Sequence, residues 1–101
     1  MSRFLPENFD ASRPLALIAG QGNYPILLTE RARKAGIRLR LIELGGETAP
    51  ELVSSFSDDE RSAVKVGQVG KLLKELKKFG AGYAVMAGQV TPGISSPFHL
   101  Q

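Results

Sequence analysis

Four times along this chain a short apolar run gives way to glycine, and this punctuation limits the fold more than any other feature. The runs are Leu15 to Ala19 before Gly20, Arg38 to Leu44 before Gly45 and Gly46, Ser62 to Val66 before Gly67, and Gly82 to Ala87 before Gly88. Each has the length and bounding glycine of a strand. Helical patterns fill the intervals. Pro25 suits a first helical turn, where its missing N–H has no intrahelical role; Leu28, Ala32 and Ala35 continue one face, and Gly36 stops it. "TAPE" (Thr48 to Glu51) reads as a capping box opening a short helix over residues 50–56, followed by the polar turn "SDDE". Val69, Leu72, Leu73, Leu76 and Phe79 form a single predicted apolar stripe, with Lys71, Lys74, Glu75, Lys77 and Lys78 facing away and Gly80 at the end. The order β-α-β-α-β-α-β predicts an α/β, Rossmann-like three-layer domain with four parallel strands and crossover helices on both faces.

The flanks lack this pattern. Residues 1–13 are expected to be a flexible leader, residues 14–92 the folded domain, and residues 93–101 a tail or the start of a linker. A chain of 101 residues, 43% hydrophobic and 23% charged, has the composition of one small globular domain. No apolar run approaches the ~20 residues of a membrane span, and the N-terminus lacks the apolar segment of a secretory signal. Without cysteine there is neither a disulfide framework nor a thiolate metal site, which fits a cytoplasmic location. The net charge of +3 is concentrated in "ERARKAGIRLR" and "KLLKELKK". These segments read as solvated helix faces or as attractants for an anionic ligand or membrane surface. No aromatic residues are interleaved with the basic ones as base-stacking platforms, so nucleic acid is not an expected partner.

In a parallel sheet the four glycine exits share the carboxyl edge, where open α/β sheets hold ligands. Gly20-Gln21-Gly22-Asn23 leads into a helix whose first N–H groups suit a phosphate, and Gly67-Gln68 is a second such turn. Gln68 and Gln89 could hydrogen-bond a sugar hydroxyl or an acyl carbonyl, or simply cap a turn. A nicotinamide fingerprint competes for the first loop, since Glu43 falls at the ribose-binding distance beyond Gly22. Against it, Pro25 stands where that fingerprint places its third glycine.

Catalytic chemistry is scarce. The one histidine, His99, lies in the unpatterned tail, and Asp58, Asp59 and Glu60 read as a solvated turn or a weak Mg²⁺ cluster. Glu43 and Glu47 flank the second glycine turn and make no stronger pair. No convincing active site emerges from these residues, and ligand binding is the expected role.

Taken together, "LALIAGQGNYP", "KVGQVGKLLKELKKFG" and "AVMAGQVTP" resemble the N-terminal domain of bacterial UDP-2,3-diacylglucosamine pyrophosphatases of the LpxI type, over residues 15–92. In that pattern Pro25 is the regular residue. The resemblance implies a lipid A pathway hydrolase that converts UDP-2,3-diacylglucosamine to UMP and 2,3-diacylglucosamine 1-phosphate with a divalent metal, usually Mg²⁺. It implies a substrate or product site made by Gly20, Gln21, Gly22, Tyr24 and Pro25, by Gly67 and Gln68, and by Ala87, Gly88 and Gln89. The family's metal-binding aspartate belongs to a C-terminal domain with no counterpart here. The chain is therefore expected to bind a glycolipid phosphate or UDP-sugar lipid without converting it. The expected location is cytoplasmic, with peripheral contact on the inner membrane face. A small nucleotide-binding domain of the NAD type and a non-catalytic interaction module remain the alternatives.

Overall fold

The computed structural model describes residues 12–90. The predicted leader up to residue 11 and the tail with His99 lie outside them. The elements run β1 (Leu15–Ala19), α1 (Tyr24–Lys34), β2 (Leu39–Leu44), α2 (Pro50–Ser54), a single 3-10 turn (Asp58–Glu60), β3 (Arg61–Val64), α3 (Val69–Phe79) and β4 (Tyr83–Ala87).

All four strands are parallel, in the spatial order β3-β2-β1-β4. Every residue of β1 is buried, as an apolar run flanked by strands and covered on both faces must be. Leu15, Leu17, Ala19, Leu39 and Leu41 pack with Leu28 and Ala32 of α1 and with Leu52 and Phe56. Ile18, Ile42, Leu44 and Val64 form the opposite layer with Leu72 of α3. The chain steps from β1 to β2 to β3 with its helices on one face, then turns back across the other face to reach β4. This is the predicted Rossmann-like three-layer α/β fold, and the direction of strand progression reverses between β1 and β4.

Local chemistry explains the helices. Pro25 occupies the first turn of α1, and its carbonyl accepts from the buried Thr29 hydroxyl at 2.9 Å. Arg33 ties α1 to the end of α2, donating to Ser55 O at 3.0 Å with its guanidinium 4.6 Å from the Phe56 ring centroid. At the end of α3, Gly80 takes the left-handed conformation (φ 68°) and the Ala81 N–H reaches back to Leu76 O. That is the Schellman closure that glycine permits.

Three sequence expectations are corrected. The capping box does not form: Ala49 is the N-cap of α2 and no side chain caps it. The Thr48 hydroxyl is engaged elsewhere, accepting from Leu44 N–H at 2.8 Å and donating to Ala19 O at 2.6 Å. The third strand ends at Val64 rather than Val66, because the Lys65 N–H donates to the Gln68 side chain. Gly67 therefore belongs to the following turn. Finally, Leu73 leaves the apolar stripe of α3 and is 60% exposed; the stripe that meets the sheet contains Leu72, Leu76 and Phe79.

Candidate functional site

The parallel sheet brings all four strand exits to one rim, as the glycine pattern requires. Only two of the three predicted loops meet there. The loop after β1 and the loop after β4 are joined as a short antiparallel bridge between Gln21 and Gln89. The Gly20 N–H donates to Ala87 O at 2.8 Å, Gln21 N–H to Gln89 O at 2.6 Å, and Gln89 N–H to Gln21 O at 3.2 Å.

This bridge explains two of the glycines. A Cβ at Gly20 would lie 2.5 Å from Gln89 O, and one at Gly88 would lie 2.7 Å from Gln21 O and 3.0 Å from Pro25 Cγ. Gly88 also has φ +96°, a region open to glycine at little cost. The two exits cross so closely that neither tolerates a side chain. Pro25 is among the most deeply buried residues and packs under this crossing. Close approach here is provided by Gly88 against the proline ring, where a dinucleotide fold uses a third glycine for helix–strand packing.

The same geometry corrects the picture of an amide cradle. The amides of Gly20 and Gln21 are already committed to main chain and cannot serve a phosphate. Further along the loop, Gly22 and Asn23 donate to no main-chain carbonyl among the described residues, and no neighbour lies within 4 Å of a Cβ built at Gly22. They precede α1, whose positive dipole end faces the rim. Tyr24 opens that helix with its side chain 60% exposed.

Gly67 and Gln68 stand apart. Their strand, β3, is three strand spacings from β4 in the sheet order, or about 14 Å. The Gln68 N–H donates to Lys65 O, and its side-chain Oε1 accepts from Lys65 N–H at 2.8 Å. Gln68 therefore holds its own turn closed.

Two residues gain importance from the structure. Glu47 is buried at the rim and accepts from Gln21 Nε2 at 2.7 Å, linking the first loop to the second. Thr48, through Leu44 and Ala19, pins the same two strand ends. An acid and a hydroxyl directly after a glycine turn were the visible signal, but local spacing assigned Thr48 to a cap and left Glu47 without a role. Glu43 lies near the end of β2 in register with Ala19. Among the described residues no three of His, Cys, Asp and Glu converge as a metal site. They do not fit an Mg²⁺ centre, and no chemical step is assigned to them. No helix among the described residues is long and apolar enough to cross a membrane.

Fold and rim together define a Rossmann-like α/β domain whose candidate ligand edge lies where β1 meets β4. The profile of the LpxI N-terminal domain matches residues 14–95. The chain belongs to that family, one related to lipid A biosynthesis. No curated protein matches it.

Proposed function

We propose that this chain is the substrate- and product-holding domain of a lipid A pathway hydrolase, the enzyme that cleaves UDP-2,3-diacylglucosamine to UMP and 2,3-diacylglucosamine 1-phosphate. The observation that carries the reading is the bridged pair of exit loops at the sheet's reversal point, in a chain of the LpxI family. Open α/β sheets hold their ligands at such points.

In this reading Gly20, Pro25, Ala87 and Gly88 form the rigid floor. Gly22 and Asn23 offer N–H groups to the phosphate, and the exposed Tyr24 ring lies against the sugar. Gln21 and Gln89 meet hydroxyl or acyl oxygens, while Gly67 and Gln68 form a more distant shelf. Hydrolysis itself is assigned to residues outside this domain; the divalent metal, Mg²⁺, would neutralise phosphate charge there and activate water. The part proposed for this domain is to hold the ligand.

Titrating the protein with 2,3-diacylglucosamine 1-phosphate and following its amide NMR spectrum tests the proposal. Shifts concentrated at residues 21–24 and 87–89 are expected. A spectrum that stays unchanged at saturating ligand would refute it. A change in NADH fluorescence that disappears in Glu43→Ala would favour the nicotinamide reading instead, since Glu43 lies next to the β1 exit in the sheet.

A further inference from the structure

The least explained surface of the molecule is the outer side of α3. Its buried stripe contains Leu72, Leu76 and Phe79, packed on the sheet with Ile18, Ile42, Leu44 and Val64. One helical turn advances 3.6 residues, so Lys71, Lys74, Lys77 and Lys78 fall together on the opposite arc, and all four are exposed. None of them forms an ion pair among the described residues, where the pairs are Arg40–Glu60 and Arg61–Asp58. The single acid of the helix, Glu75, is withdrawn from the arc and accepts from the Ser62 hydroxyl on β3 at 2.8 Å.

Leu73 stands at the border of this arc, one turn before Lys77 and next to Lys74, and it is 60% exposed. Glu75 marks the flank of α3 that faces β3. Leu73 lies on the other flank, toward β4. Met86 of β4 is in register with Ile18, which places it on the same face of the sheet, and it too is 44% exposed. Exposed apolar residues therefore border an unbroken field of positive charge.

The basic groups of α1 are arranged differently. They lie on the other face of the sheet, beside Glu30, and Arg33 is engaged with Ser55 and Phe56. Helix α1 has an exposed leucine of its own, Leu27 at 53%, but Glu30 offsets its charge and Arg33 is committed, so the denser unneutralised charge is that of the four lysines of α3.

We propose that α3 docks this protein on an anionic phospholipid surface, with the four lysines directed at the headgroups and Leu73 entering among them. Charge complementarity selects the partner. Clustered lysines are attracted to anionic bilayers, and an aliphatic side chain within a basic helix face gains by entering the interface. Nucleic acid would satisfy the charge but offers nothing to Leu73, and the arc has no aromatic residue on which bases could stack. The proposal does not depend on which ligand the rim takes.

Co-sedimentation of the full chain with phosphatidylcholine vesicles, with and without phosphatidylglycerol, tests it. Binding is expected only with phosphatidylglycerol and should weaken as salt rises. Lys74→Glu combined with Lys77→Glu should weaken it at least about tenfold, and Leu73→Ser should weaken it further. Arg31→Glu with Lys34→Glu, an equal change of charge on α1, should weaken it far less. Far-UV circular dichroism establishes that each variant is folded. No binding to the anionic vesicles at low salt would overturn the proposal, as would equal losses in the two charge-reversal pairs. So would tighter binding to a short DNA duplex than to the vesicles.

Discussion

Gln21 and Glu47 meet across the rim, the amide Nε2 donating to the buried carboxylate at 2.7 Å. The contact joins the loop after β1 to the loop after β2. Gln21→Ala should cost about 1 kcal/mol in urea unfolding. Gln21→Glu should cost more, because it sets two carboxylates against each other at a partly buried position.

Gly88→Ala should destabilise strongly. The new methyl would meet Gln21 O, Gly20 C and the Pro25 ring at a backbone φ of +96°. Strain of this kind costs on the order of 1–3 kcal/mol before any clash is relieved. The expected result is a melting temperature lower by several degrees. Gly22→Ala is the comparison: its φ is also positive, but a Cβ there meets nothing, so its loss should be smaller.

Thr48→Val should cost about 1–3 kcal/mol, since it leaves Leu44 N–H and Ala19 O without the hydroxyl that serves both. Thr48→Ser should recover most of the loss. Glu51→Ala should change stability by no more than about 0.5 kcal/mol, because no side chain caps α2. A large loss at Glu51, measured by the same urea titration, would restore the capping box.

Leu72→Ala and Leu73→Ala, neighbours in sequence, should separate sharply. Leu72 is buried against Ile42 and Val64, and truncating it should cost about 2–4 kcal/mol. Leu73 is largely exposed, and its truncation should lie within about 0.5 kcal/mol of wild type.

The strands were legible because apolar runs such as Leu15 to Ala19 carry both length and boundary in one short stretch. Helix α3 was legible through its stripe, although Leu73 misled: in a run of two leucines, spacing alone does not say which one the sheet covers. What stayed hidden was non-local. Thr48 followed three positions later by Glu51 satisfies a local rule, while the stronger partner, Ala19 O, arrives from another strand. The glycine exits announced a shared rim, but not that Gly20 and Gln21 would use their amides on the last strand. That crossing follows from β4 lying beside β1, and strand order is not written in any window of sequence.

The pairing of Ala19 with Ala87 places the first and the last strand side by side at the ligand edge. Such a closure spans most of the described residues and carries a large loop entropy, so it belongs among the last contacts to form. A nascent chain that has not yet delivered its fourth strand would have a hydrophobic sheet but no seat for a ligand. Capacity to bind would then report completed folding.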